Sequence, residues 1–439
     1  MNSLGQAVGL SLWGYWRNWT SLHLSHTTQS KAVNMNIDWL LGETGRDITA
    51  RARQIDDPLE AATKLRKLFA EVPADLVSQA INQASLQKSL RSRWSMETDG
   101  WLLTADGIEQ ATRPTVATWR ANWIVQKFGP AVKVIDLTCG LGFDSLAMAQ
   151  AGLKVCAIER DQFTAACARH NLENVEVDVL VADANDVDLE EFDLFFIDPM
   201  RRDPNSAREL NGNTKRILKP DDWSPSWSEI NQFAKQGKVL CKIAPGIADQ
   251  YIVDWDTFWI SDAGDVVEAM ALSAGTGKRS AVLISGSHFE IFSEGGIPPV
   301  AGSGQFLVVP NGALTRAGEL SALCTKVNGG LINEHIGWIL TNDRNAINHL
   351  RLATIKLAET FHVIDRVKAD TKVIARAISG MDASAITIMT RGVQVEVPKL
   401  RKQIAPKLNA KAPELVIALF REDSGNQALI CRRINELLA

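Results

Sequence analysis

The stretch that decides the fold runs from Val132 to Asp161 and reads VKVIDLTCGLGFDSLAMAQAGLKVCAIERD. It opens with Val132-Lys133-Val134-Ile135-Asp136-Leu137, an apolar run with the pattern of a strand buried on both faces. A glycine-rich turn follows, Thr138-Cys139-Gly140-Leu141-Gly142-Phe143-Asp144. Ser145-Leu146-Ala147-Met148-Ala149 then predicts a helix, with Asp144 as its N-cap and Ala151-Gly152 as its end. A second strand, Lys154-Val155-Cys156-Ala157-Ile158, stops at Glu159. Strand, glycine turn, helix, strand and acidic residue together have the length of one βαβ unit.

Each residue type in this unit has a physical role. Gly140 and Gly142 lack a Cβ, so a ligand can approach the backbone closely. Glu159 stands at the tip of the second strand, where a carboxylate can take both hydroxyls of a ribose. The turn is not a dinucleotide fingerprint, because G-x-G-x-x-G needs glycine where Ser145 stands. Nor is it a phosphate loop, since no Lys-Ser/Thr follows. A carboxylate ahead of the glycines, Asp136, would repel a pyrophosphate and suits a cationic amino-acid moiety.

That combination resembles the class I S-adenosylmethionine-dependent methyltransferases, in which an acidic strand residue precedes a G-x-G turn and a second acid closes strand two. Thr138 replaces the usual first glycine. The form D-x-T-x-G-L-G-x-D is similar to the bacterial small-subunit ribosomal RNA guanine-N2 methyltransferases and their relatives. The resemblance implies a Rossmann-like, seven-stranded α/β domain with S-adenosyl-L-methionine as cofactor. It places Asp136, Thr138, Cys139, Gly140, Gly142, Asp144 and Glu159 around that cofactor. A third strand, Val175–Val181, leads to Asp183, where the family's acidic residue accepts a hydrogen bond from the adenine amino group. A turn-forming aspartate is the plainer alternative for that position.

Strand four, Phe192–Ile197, ends in Asp198-Pro199-Met200-Arg201-Arg202-Asp203-Pro204. Nucleic-acid methyltransferases of this class carry a tetrapeptide beginning D-P there, and the ends of strands one and four flank the switch point where such sheets bind ligands. Asp198 would accept a hydrogen bond from a target amine, and Pro199 would stiffen the turn. Amino-methylating members usually put an aromatic in the fourth place; this chain has Arg201. Arginine can stack on a base or pair with a phosphate, and Arg202 is a second candidate. Alternatively, both arginines pair with Asp198 or Asp203. Asn205 to Ser226, with Arg208, Lys215, Arg216 and Lys219, reads as the substrate loop.

The remaining organisation follows from composition and pattern. Residues 1–34 are expected to be a poorly ordered extension, and residues 35–115 a helical N-terminal region, with helix starts at Pro58 and Pro73. Arg113 and Arg120 either face the active site or, on the plainer reading, are surface charges. The methyltransferase domain is expected over 116–292, including strand five at Lys238–Ile243. Asp265–Leu272 and Arg279–Ile284 read as a closing hairpin joined through Ser273–Lys278. Ser293 to Gln305, SEGGIPPVAGSGQ, reads as a linker. Residues 306–439 resemble the α+β THUMP-like domain attached to a family of bacterial methyltransferases, on Thr390-Arg391-Gly392-Val393, Leu400-Arg401-Lys402 and Phe420-Arg421. Val393–Val397 reads there as a strand and Pro398–Leu408 as a helix.

Charge and cysteine usage set further bounds. The net charge is −4, but from Ala301 onward 18 Lys+Arg stand against 12 Asp+Glu, roughly +6, which leaves about −10 for the rest. The C-terminal part is therefore the better candidate for touching a polyanion, and a solvated basic face is the other reading of it. Six scattered cysteines without a C-x-x-C suggest neither a zinc site nor a disulfide framework and fit a reducing cytoplasm. No apolar run approaches a membrane span. The reading is thus a cytoplasmic S-adenosylmethionine-dependent methyltransferase acting on RNA, tRNA or rRNA, without a metal. The alternatives are a cofactor- and RNA-binding module without turnover, and a protein or small-molecule methyltransferase. Cys241 is a candidate nucleophile for C5-pyrimidine methylation, against the plainer reading of a buried strand cysteine.

Overall fold

A computed structural model describes residues 36–94, 97, 99–202, 216–404 and 409–434. The expected extension at 1–34 and the 205–215 part of the expected substrate loop lie outside these residues. The chain divides into two compact units, one ending at Ile81 and the other running from Asn82 to the end. The first is helical: α1 (Ile37–Leu41), α2 (Glu43–Arg53), α3 (Pro58–Leu68) and the start of α4 (Ala74–Trp94). Asp57 caps α3 by accepting the Leu59 N–H, and Pro58 sits in its first turn, as the sequence predicts. Ala61 and Leu65 face its core, whereas Leu59 and Leu68 are exposed.

The second unit takes in the rest of α4, then α5 (Ala105–Gln110) and α6 (Pro114–Phe128), and continues into a nine-stranded sheet. Its strands are β1 (Lys133–Asp136), β2 (Lys154–Glu159), β3 (Val177–Val181), β4 (Leu194–Ile197), β5 (Lys238–Ile243), β6 (Asp256–Asp262), β7 (Asp265–Leu272), β8 (Arg279–Ser285) and β9 (His288–Phe292). Between them lie α7 (Phe143–Gln150), α8 (Gln162–Asn171) and α9 (Trp227–Gln236). The order is β3-β2-β1-β4-β5-β7-β6-β8-β9. The first five strands are parallel, and β7 runs antiparallel to both β5 and β6.

Both faces of this sheet are covered, which is why its strands read as continuous apolar runs. Val134, Leu194, Phe196, Leu240 and Met270 pack with Val116, Ala117 and Ile124 of α6 and Met148 of α7. Ile135, Phe195, Ile197, Val239 and Trp259 on the other face pack with Trp227, Ile230 and Phe233 of α9. Adjacent residues of one strand thus serve opposite cores.

The structure corrects the expected closing hairpin. Residues 265–272 and 279–284 are not neighbours, because β6, unread in the sequence, lies between them. The hairpin is β6–β7, turning at Ala263 and Gly264, both with positive φ. The segment 273–278 instead crosses β6 to start β8, which pairs parallel with β6. Asp256 anchors that crossing by accepting the N–H groups of Thr276 (2.8 Å) and Lys278 (3.0 Å). The expected count of seven strands becomes nine, with β6 and β9 added.

Seven strands form a second sheet, ordered β11-β12-β10-β13-β16-β15-β14. They are β10 (Phe306–Pro310), β11 (Gly329–Asn333), β12 (Ile336–Thr341), β13 (Ala358–Lys368), β14 (Ile386–Arg391), β15 (Leu415–Glu422) and β16 (Gly425–Arg433). Interleaved are α10 (Gly312–Ala317), α11 (Leu320–Lys326), α12 (Arg344–Leu352), α13 (Thr371–Ala377) and α14 (Val397–Ile404). The expected strand at 393–397 is absent: residues 393–396 are irregular and α14 begins at Val397, where Pro398 fits the first turn. Residues 293–305 lack helix or strand, as their composition predicts, but they are fixed. Leu331 donates to Pro299 O (2.7 Å) and accepts from Ala301 N–H (2.9 Å), and Gly295 N–H reaches Glu319 (3.1 Å).

Candidate active site

The carboxyl ends of β1, β2 and β4 bring together most of the residues singled out in the sequence. Asp136 pairs in register with Ala157 of β2 on one side and Phe196 of β4 on the other, at the point where the strand order reverses. Its carboxylate is almost fully buried; it accepts from Ser145 Oγ (2.6 Å) and from the Thr138 N–H (3.2 Å). Burial pushes its pKa up to about 7, against the opposing pull of the Ser145 hydrogen bond. Asp136 therefore braces the turn from beneath.

Gly140 and Gly142 both adopt positive φ, +54° and +91°. A Cβ at Gly140 would meet nothing within 4 Å, so space is open there, whereas one at Gly142 would press on Leu172. The two glycines thus serve different ends, close approach at one and packing at the other. Glu159 closes β2, accepting from the Gly140 N–H (3.1 Å) and the Asp161 N–H (2.8 Å). Burial raises its pKa above the ordinary carboxylate value. An open glycine backbone beside a fixed, half-buried carboxylate fits the ribose and amino-acid ends of S-adenosylmethionine. Cys139 is buried, its thiol pKa pushed well up by desolvation, and it packs under the turn. Asp183 is exposed after β3 and accepts from the Asn185 N–H and side-chain amide, each at 3.0 Å.

Asp144 departs from its expected place. The N-cap of α7 is Gly142 in the left-handed region, and Asp144 lies inside the first turn. Its carboxylate is engaged by Arg120, by Thr112 Oγ1 (2.6 Å) and by Lys242 Nζ (3.4 Å). Burial alone would raise its pKa, but Arg120 and Lys242 bring it below the ordinary value. Arg120 is not a surface charge, the plainer of its two readings: it is 1% exposed, joins Asp144 to Glu268 and lies 5.3 Å from the centre of the Phe196 ring. Arg113 is a partly exposed cap residue paired with Asp262 at 3.1 Å.

Lys242, in the middle of the apolar run of β5, escapes a reading of the sequence. It donates to Thr112 Oγ1 (2.5 Å), Asp198 Oδ2 (2.5 Å) and Asp144 Oδ2 (3.4 Å), which uses all three ammonium protons. Burial acts to lower its pKa, but Asp144, Asp198 and Glu268 outweigh this and hold it raised and charged. No sequence signal points to it, because its partners lie 44 to 130 residues away.

Asp198 thus sits at the end of β4 with its carboxylate on Lys242 and its N–H on Thr138 Oγ1 (2.7 Å). Pro199 is buried. Arg201 Nη2 stands 3.7 Å from Asp198 Oδ1, and its guanidinium lies 6.0 Å from the Trp223 ring. Arg202 pairs with Glu109 of α5 at 2.7 Å. The chain on either side of 203–215 is held in place: Met200 pairs with Ser224 and Arg202 with Arg216. Cys241 is fully buried, and desolvation drives its thiol pKa far up, so it is a core residue and not an available thiolate. Among the described residues no cluster suited to a metal ion occurs, and no helix is long and apolar enough to cross a membrane.

Comparison with known proteins identifies the class of domain. A family profile described as "Methyltransferase domain" matches residues 134–221. An uncharacterized S-adenosylmethionine-dependent methyltransferase of Mycobacterium tuberculosis is 26% identical over 353 residues, 76% of this chain and 89% of its own length. A tRNA (uracil(54)-C(5))-methyltransferase of Pyrococcus furiosus is 30% identical over 111 residues, 24% of this chain and 27% of its own. A solved structure from Porphyromonas gingivalis W83, provisionally described as a methyltransferase, covers 90% of this chain and 99% of its own at a TM-score of 0.63 and 18% identity, and so shares the fold. The nine-stranded sheet therefore carries a class I methyltransferase domain, and the protein is a transferase with S-adenosylmethionine as its cofactor.

Proposed function

We propose that the protein methylates RNA, tRNA or rRNA, at the carboxyl ends of β1 and β4. The observation that carries this reading is the placement of Asp198 beside the glycine turn, with Arg201 and Arg202 following it directly. Bound S-adenosylmethionine supplies a methyl group already activated on a sulfonium, so the chain has to align an in-line attack and exclude water. In this reading Glu159 takes the ribose hydroxyls, and the open backbone at Gly140 admits the amino-acid end. Thr138, Gly142, Cys139 and Asp136 shape the turn beneath, and Asp183 is placed for the adenine amino group. Asp198, stiffened by Pro199, faces the target nucleotide. Arg201 meets a phosphate or stacks on a base, and Arg202, fixed by Glu109, adds positive potential at the same rim. Asp144 belongs to the ion cluster under the site.

The stretch similar to part of the Pyrococcus furiosus tRNA methyltransferase supports an RNA acceptor, as does the basic C-terminal part. The burial of Cys241 separates this chain from a thiolate mechanism on a pyrimidine C5. The seven-stranded second sheet, read from sequence as THUMP-like, is proposed to hold the RNA. The test is transfer of labelled methyl groups to size-fractionated RNA, and in parallel to protein, from a strain lacking the gene. Label confined to one RNA fraction is expected. Label in protein alone, or none in a chain shown to bind S-adenosylhomocysteine, would overturn the reading.

A further inference from the structure

Thr138 stands where the related turns have their first glycine, and the structure gives the substitution a purpose. Its backbone N–H donates to Asp136 Oδ1 (3.2 Å), so the residue is locked to the end of β1. Its hydroxyl accepts the backbone N–H of Asp198 at 2.7 Å, across the gap between β1 and β4. Register pairing of these strands stops at Asp136–Phe196, and the Leu137 N–H makes the last backbone bond, to Phe196 O (2.9 Å). Beyond that point a side chain takes over the work of the sheet. Glycine here would leave the Asp198 N–H without this acceptor in a partly buried place.

We propose that Thr138 is a positioning residue that couples the cofactor turn to the substrate motif, holding Asp198 by its backbone while Lys242 holds it by its carboxylate. The inference rests on the transferase reading of the site. It extends that reading by giving the β1 turn a second role, in which any shift of the turn is passed through one hydroxyl to the residue facing the acceptor. Asp198 is then set in place before the acceptor arrives, in the sense that binding need not order it.

Two substitutions in the full-length chain separate this from a plain packing role. Thr138→Val keeps the shape and removes the acceptor; Thr138→Ser keeps the acceptor and removes a methyl group. Three quantities are measured: amide hydrogen exchange at Asp198 by NMR, the affinity for S-adenosylhomocysteine by calorimetry, and methyl transfer to RNA from a strain lacking the gene. The valine variant is expected to exchange the Asp198 amide at least tenfold faster and to lose at least tenfold in kcat. Its S-adenosylhomocysteine affinity should fall less than its kcat, and the serine variant should recover most of both losses. Unchanged exchange in the valine variant would overturn the proposal. A fall in S-adenosylhomocysteine affinity as large as the fall in turnover would also overturn it, because Thr138 would then act on the cofactor alone. If the unsubstituted protein labels no RNA, the RNA reading fails, and the exchange measurement still decides the role of Thr138.

Discussion

Lys242 and Asp136 illustrate what single residues decide here. Lys242 is a full positive charge within a buried strand, and with Arg120 it faces Asp144, Asp198 and Glu268, while Arg201 stands on the outer side of Asp198. Lys242→Met would remove the buried cation that meets all three acids. A loss of about 3–5 kcal/mol in urea denaturation is expected, as for other broken buried ion pairs. Asp136 carries the opposite sign of linkage from a paired aspartate. Its pKa is about 7 in the folded chain, against roughly 3.9 unfolded. The folded state holds the proton more tightly, so its stabilising contribution is full below the unfolded value and is lost as pH rises through about 7. Asp136→Asn mimics the neutral form. Thermal melts should show the variant gaining on the starting protein between pH 5 and pH 8.5.

Residues of this kind divide sharply in how legible they are. Asp136, Gly140, Gly142, Glu159 and Asp198 stand at strand ends and turns, where the backbone itself restricts residue type, and the sequence exposes them. Lys242 and Arg120 sit inside regular elements whose periodicity reads correctly without them. Their meaning lies in partners distant along the chain. Thr138 is visible in the sequence as a departure, but its purpose needs the neighbouring strand.

Elements show the same contrast. The βαβ unit is legible nearly to the residue, because strand, turn and helix signals agree there. The end of the sheet misleads, since segment 273–278, with two glycines in six residues, has the composition of a hairpin loop while acting as a crossing over β6. Composition reports that a chain turns, not which strand it turns to. The true hairpin turns at Ala263, an alanine at φ +54°. Ala263→Gly relieves the Cβ strain of that conformation and should add about 0.5–1 kcal/mol, read as a shift in the urea midpoint with unchanged slope. Helix α9 begins with a reciprocal cap between Ser226 and Glu229, whose carboxylate is held below its ordinary pKa by the Ser226 hydrogen bonds. That contribution is present above the unfolded pKa of Glu229 and fades as pH falls through the lowered folded value. Ser226→Ala is accordingly expected to cost about 1 kcal/mol at pH 7 and less at pH 3.5.

At the scale of the Asn82–Ala439 unit, the two sheets share a core. One apolar cluster contains Phe195, Trp259 and Leu283 of the first sheet together with Phe306, Leu314, Leu323 and Ile339 of the second sheet and its helices. Asn311, buried at the start of α10, adds a polar tie: its amide donates to Ser261 Oγ (2.9 Å) and Lys356 O (3.1 Å), and its carbonyl caps Ala313. Asn311→Ala should lower stability by about 2 kcal/mol and move the fluorescence and calorimetric transitions of this unit together, since both sheets lean on the same residue. A composition rich in Gly, Pro and Ser makes 293–305 legible as a connection. That the pieces it connects are packed on one another is invisible in the sequence, because core sharing depends on which apolar faces meet. The way Pro299 and Ala301 pair with Leu331 has a practical consequence. The connection is not what keeps the sheets together, so a gene interrupted between Gly296 and Ile297 should yield two polypeptides, 1–296 and 297–439, that find each other when co-expressed. Such a two-part enzyme would make methyl transfer conditional on the meeting of its halves.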